Sequence, residues 1–140
     1  MYQVLYCSRR GSTRKVAEAI AAELGVTAAD VITASPDTGA KVIFLGSGRY
    51  GGTPGQEMQK FIEANNFKGR KVAYFSTCWF VGLNRAREAE FSCKALEKKG
   101  AIMLGDYHCL GKFVLFNRGR PDEEDLKGAR KFAREIVKLA

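Results

Sequence analysis

Short apolar runs and helix-period segments alternate along the whole chain. Residues 2–7 (YQVLYC) suit a short buried strand. Ser12 or Thr13 can cap the helix that follows, in which Val16, Ala17, Ile20, Ala21 and Leu24 recur at helical spacing before Gly25 stops it. Residues 31–34 read as a short strand and residues 35–39 (SPDTG) as a turn. Val42, Ile43, Phe44 and Leu45 are continuously apolar, the pattern of a strand covered on both faces. A glycine-rich loop follows, after which Thr53 reads as an N-cap and Pro54 as the first residue of a helix that turns Met58, Phe61 and Ile62 inward. Residues 71–76 form the next strand, 84–99 a long helix stopped by Gly100, and 101–104 a fifth short strand. Residues 110–121 look irregular, with an apolar patch at Phe113–Phe116. Four acids at 122–125 open a last helix packed through Leu126, Ala129, Phe132, Ala133, Ile136 and Val137.

Strands of four to six residues alternating with helices predict an α/β fold: a five-stranded parallel sheet between two helical layers, in a single domain over residues 1–140. No repeat or interdomain linker interrupts it. In such sheets the ligand crevice lies at the carboxyl ends of the central strands. Three loops, at residues 8–13, 46–53 and 77–82, are predicted to meet there.

Composition narrows the class. The chain has 140 residues, 46% of them hydrophobic and 27% charged, which is ordinary for a globular domain. No apolar run is long enough to span a bilayer, and the arginines after the first strand are the reverse of a secretory signal, so a cytoplasmic location is expected. The four cysteines (Cys7, Cys78, Cys93, Cys109) form no C-x-x-C pair and are expected to be reduced, although Cys78 and Cys109 lie near the site loops. The net charge of +8 favours acidic partners or substrates. Nucleic acid is not expected, because the chain lacks a clustered basic helix or an interleaved stacking motif.

The segment Ser8-Arg9-Arg10-Gly11-Ser12-Thr13 stands at the junction between the first strand and the first helix. Ser8, Ser12 and Thr13 can donate hydroxyl bonds to a phosphate, Gly11 permits close backbone approach, and Arg10 or Arg14 can add charge. The helix beyond supplies N–H groups and the positive end of its dipole. A capped helix after a polar loop is the plainer reading. The segment is neither a Walker A loop nor a dinucleotide fingerprint. In the second loop, Gly51 and Gly52 beside Tyr50 suit a flat ring, and glycine lets a peptide there turn over when the ligand gains a proton. Trp79 offers a second aromatic wall, or seals the end of the sheet. His108, the lone histidine, reads first as structural, with substrate contact or proton shuttling as the alternative.

The segment 8–13 is similar to the T-x-T-G-x-T phosphate loop of the short-chain flavodoxins. Ser8, Gly11 and Thr13 match the pattern, and Arg10 stands where a small hydroxylated residue is usual. The resemblance extends over almost the whole chain through the strand–helix order. It implies a flavodoxin-like three-layer sandwich that binds FMN, with Ser8, Arg10, Gly11, Ser12 and Thr13 around the phosphate. Ser47, Tyr50, Gly51, Gly52, Thr77, Cys78, Trp79 and Gly82 would border the ring, with Tyr50 and Trp79 stacking. The loop after the fourth strand lacks the acidic, tyrosine-bearing form common in flavodoxins. The implied function is electron transfer between a reductase and an acceptor by a monomeric carrier that meets an acidic redox protein. The alternative is an FMN-dependent oxidoreductase acting on a quinone-like molecule, with residues 105–121 covering the flavin. A flavin-free anion-binding module is the remaining reading.

Overall fold

The computed structural model describes residues 1–50, 53–78, 85–111 and 119–140, with the backbone alone described at 49, 50, 53 and 85–90. In chain order the elements are β1 (Tyr2–Cys7), α1 (Ser12–Leu24), β2 (Ala28–Asp30), β3 (Val42–Tyr50), β4 (Thr53–Pro54), α2 (Gln56–Ala64), β5 (Lys71–Cys78), α3 (Arg85–Lys98), β6 (Ile102–Leu110) and α4 (Glu123–Leu139). Five strands pair in parallel in the order β2-β1-β3-β5-β6, and β4 adds a short antiparallel pairing to the end of β3. This is the three-layer α/β sandwich that the alternation predicts.

Period-two alternation along the central strands divides the core. Val4, Val42, Phe44, Ala73 and Phe75 face α1 and α4, meeting Val16, Ala17, Ile20, Ala129, Phe132 and Ala133. Leu5, Ile43, Leu45, Val72 and Tyr74 face the other way, toward Met58, Phe61 and Ile62 of α2 and Leu96 of α3. Gly46 is glycine because the ring of Phe75 fills its side-chain position; a Cβ there would lie 2.0 Å from the ring.

Several boundaries differ from the sequence reading, and α1 opens on Gly11 rather than on a Ser12 or Thr13 cap. The second strand is Ala28–Asp30, not residues 31–34. The Asp30 carboxylate accepts the Ile32 N–H at 2.9 Å and its carbonyl accepts the Thr33 N–H at 3.0 Å, which turns the chain at that point. Thr53 and Pro54 form β4 rather than opening α2, which starts at Gln56 after Gly55. The Gly55 N–H is held at 2.9 Å by the Ser47 hydroxyl, so the chain is anchored to β3 before the helix begins. β3 and β5 run on to Tyr50 and Cys78, and so take in residues assigned to loops.

β6 is the largest departure. It spans Ile102–Leu110, well beyond residue 104, because its register continues to Cys78↔Leu110 past an irregularity at Val72/Ala73. Gly105 and Asp106 carry a loop-like composition, but Gly105 lies against Ile136, where a Cβ would sit 3.0 Å from that side chain. Residues 105–110 are therefore strand. Phe113 and Phe116 lie outside the described residues. α4 opens as its acids predict: the Asp122 carboxylate accepts the Asp125 N–H at 3.0 Å, and Asp125 returns the bond to the Asp122 N–H at 2.9 Å.

Candidate functional site

Parallel register brings the informative segments to one end of the sheet. Cys7 pairs with Ser47, Ser47 with Ser76, Gly48 with Thr77, and Cys78 with Leu110, so the carboxyl ends of β1, β3, β5 and β6 lie at one end of the sheet, with β3, β5 and β6 running on past the level of Cys7. Segment 8–13 leaves β1 there and enters α1. Gly11 adopts φ +86°, a left-handed conformation that glycine takes readily, and its N–H donates to the Ser8 hydroxyl at 3.0 Å. That bond leaves the Ser8 O–H as a donor. No side chain caps α1, and its first turn holds no acid. The amides at the start of a helix have no carbonyl one turn back, and the dipole places positive potential there. Ser8 is half-buried, Ser12 is 7% exposed, and Arg9, Arg10 and Arg14 are exposed around them. Arg14 lies along its own helix, 3.2 Å from Glu18.

Thr13 differs from its neighbours. It is 1% exposed, and its hydroxyl lies 2.7 Å from that of Thr77, itself 4% exposed. Gly111, at the end of β6, closes the same junction. Its N–H donates to the Cys78 carbonyl at 2.8 Å, and a Cβ on it would meet the Cβ atoms of Ser12 and Thr77 at 2.9 and 3.0 Å. A fifth strand that ends at residue 104, as the apolar pattern alone suggests, leaves Gly111 out of the site; β6 runs to Leu110 and brings it in. A glycine at the carboxyl end of a parallel strand was the available signal.

Behind this end of the sheet, Ser47 and Cys7 have defined partners. Ser47 is fully buried; its hydroxyl donates to the Gly48 carbonyl at 2.8 Å while accepting the Gly55 N–H. It therefore holds the start of the glycine loop against the start of α2. The Cys7 thiol lies 3.5 Å from the Glu57 carboxylate, and burial, with that carboxylate beside it, pushes the thiol up to about 11. Cys7 thus adds no negative charge under the cradle near neutral pH. Burial, with Asp125 and Cys78 nearby, pushes Cys109 up to about 12. All four cysteines are free thiols. Cys109 lies on the α1/α4 face with Thr77, its register partner, whereas Cys78 occupies the alternate position of β5.

His108 is structural in its surroundings. Its Nδ1 is hydrogen-bonded to the Ser76 hydroxyl and its Nε2 lies 2.6 Å from the Asp106 carboxylate, with Tyr74 beside the ring. Sequence spacing gave Asp106 and Ser76 no such role, since both depend on β6 reaching residue 110. The Tyr50 side chain and residues Gly51, Gly52, Trp79 and Gly82 lie outside the described residues. Among the described residues there is no cluster of three metal-ligating side chains, and no helix is long and apolar enough to cross a membrane.

Comparison with known proteins agrees with this arrangement. The family model described as the flavodoxin domain matches residues 3–110. An uncharacterized protein of Methanocaldococcus jannaschii is 34% identical, over 96% of this chain and 97% of its own. Among solved structures, a flavodoxin from the domain Archaea superposes with a TM-score of 0.81 at 21% identity, covering 99% of this chain and 96% of that one. Oxidised flavodoxin 1 from Bacillus cereus superposes with a TM-score of 0.75 at 20% identity, covering 100% and 99%. At those identities the two structures speak for the fold alone.

Proposed function

The chain belongs to the flavodoxin domain family, and from that premise we propose that it binds FMN and carries electrons between a reductase and an acceptor. One observation carries the reading: an α1 N-terminus with no side-chain cap and no first-turn acid opens beside Ser8 and Ser12 at the carboxyl ends of β1, β3 and β5. A phosphate monoester offers acceptors and negative charge that complement the amides and dipole of such a helix start. When bound, FMN supplies the redox chemistry.

The chain's own residues bind and orient. Ser8 and Ser12 offer hydroxyls, the first turn of α1 offers amides, and the left-handed Gly11 lets the backbone approach. Arg10, exposed at the rim, contributes long-range attraction that salt screens, with a Debye length of about 8 Å at physiological ionic strength. Ser47 fixes the entry to Tyr50, Gly51 and Gly52, and the end of β5 carries the chain to Trp79 and Gly82; these residues are assigned to the ring. The +8 charge favours an acidic redox partner and speeds encounter with it.

Refolding with FMN, followed by a visible spectrum and stoichiometry, tests the proposal. One FMN per chain is expected, with affinity falling as salt rises. Failure to retain FMN at micromolar concentration, together with salt-sensitive binding of RNA or DNA, would reverse it. Reduction through a protein partner, without steady-state turnover of NAD(P)H and quinone, separates a carrier from an enzyme.

A further inference from the structure

We infer that Thr77 is a positioning residue for the phosphate half of the site, acting through Thr13, and is not a contact of the flavin ring. The inference rests on the FMN reading above. Thr77 follows Ala73 and Phe75 at period two, so its side chain leaves β5 toward α1, where Thr13 occupies the first turn. The two hydroxyls are 2.7 Å apart at 4% and 1% exposure. A hydroxyl buried to that degree needs a partner, and each supplies the other's. Thr13 therefore holds its hydroxyl against Thr77, while its backbone stays in the helix start assigned to the phosphate.

Gly111 wedges the same junction from the third side. With Ser12 and Thr77 both at about 3 Å from where its Cβ would be, the first turn of α1 is fixed between β5 and the end of β6. The pair is neutral and does not titrate near neutral pH, so it sets the position of the anion-binding amides without adding charge beneath a dianion. Amide donors act on an anion only when they are aimed in advance, and loosening their support is felt as lost affinity for the charged group.

The test compares FMN with riboflavin, which presents the same ring without the phosphate. Losing one buried hydrogen bond behind charge-assisted donors should weaken FMN about tenfold in Thr77→Val, with riboflavin affinity unchanged within about twofold. Thr77→Ser restores FMN affinity. Gly111→Ala, which keeps both hydroxyls and displaces Ser12, lowers FMN affinity selectively as well, and Thr77→Ala answers the question if Thr77→Val does not fold. The phosphorus resonance of bound FMN shifts in Thr77→Val and Gly111→Ala but not in Thr77→Ser. Equal losses for both flavins, or no loss for either, would overturn the inference while leaving FMN binding intact. A wild-type chain that takes up neither flavin would instead sink the underlying FMN reading.

Discussion

On the face of the sheet covered by α1 and α4, β5 ends in Thr77, a neutral hydroxyl whose partner Thr13 is equally buried. One residue earlier, on the face covered by α2 and α3, the same strand carries Ser76, bound to His108, which is bound in turn to Asp106. The first tie is a single short contact between two buried hydroxyls. The second runs from a hydroxyl at 1% exposure, through an imidazole at 2%, to a carboxylate at 41%. An ionised Asp106 can only accept, so the network assigns the proton to Nε2 and makes Nδ1 the acceptor of the Ser76 O–H. Adjacent residues of one strand are thus held by different chemistry: a hydroxyl pair beside the proposed anion site, and a hydroxyl–imidazole–carboxylate network behind it.

The faces should separate when each is cut. His108→Ala opens a cavity and leaves the Ser76 hydroxyl without its imidazole partner, at an expected cost of about 3 kcal/mol. Urea unfolding at pH 7 measures it, and the ratio of FMN to riboflavin affinity in the folded fraction should stay within about twofold of wild type, because the ring is absent from the phosphate junction. Ser76→Ala, which orphans Nδ1, should cost about 1–2 kcal/mol and also leave that ratio alone. Thr77→Val inverts the pattern, with only about 1 kcal/mol of stability lost and a selective fall in FMN affinity. If His108→Ala moved the affinity ratio as far as Thr77→Val does, the two faces would not be independent.

Acid probes the α1/α4 face at a point farther from the junction. Burial alone would raise the Asp125 carboxyl, but hydrogen bonds and charge from Arg120, 2.6 Å away at Nη2, together with the Asp122 amide, hold it below the usual carboxylate range. A folded-state value below the unfolded one stabilises the fold fully above the unfolded value, about 3.9, and that contribution is lost as pH falls through the folded value. Urea midpoints between neutrality and pH 3 should therefore fall less steeply in Asp125→Asn than in wild type, from a lower starting stability. Parallel acid limbs would remove Asp125 from the account. The Tyr107 hydroxyl, which donates to the Asp125 carbonyl at 2.7 Å, ties this helix start to β6.

The layers and the position of the cradle were legible in the sequence because each rests on local pattern. Continuous apolar residues at 42–45 mark a doubly covered strand, the 16-17-20-21-24 spacing marks a helix face, and serine, glycine and threonine at their junction mark an anion site. The partners of Thr13 and His108 were not legible. Thr77 is 64 residues from Thr13, and Ser76 is 32 from His108. The first requires β5 to run past Ser76 to Thr77, and the second requires the β5–β6 register, which residues 105–110 conceal behind a glycine and an aspartate that look like loop. Pro54 misled for a related reason: its missing N–H suits both a first helical turn and an edge strand, and the Ser47–Gly55 bond decides between them.

The smallest expected effect lies at the open end of the His108 network. Asp106→Asn keeps an oxygen that can accept from Nε2–H and removes a charge that is already largely in water. Its cost should be about 0.5 kcal/mol or less, close to that of an exposed ion pair. Ser76→Ala should cost more than this, although it removes only a hydroxyl, because the group it strands is buried and the group stranded at Asp106 can be rehydrated. A loss in Asp106→Asn as large as that of His108→Ala would reverse the gradient. The carboxylate, and not the buried hydroxyl, would then hold the imidazole, and this face would depend on an ion pair where the other depends on neutral hydroxyls.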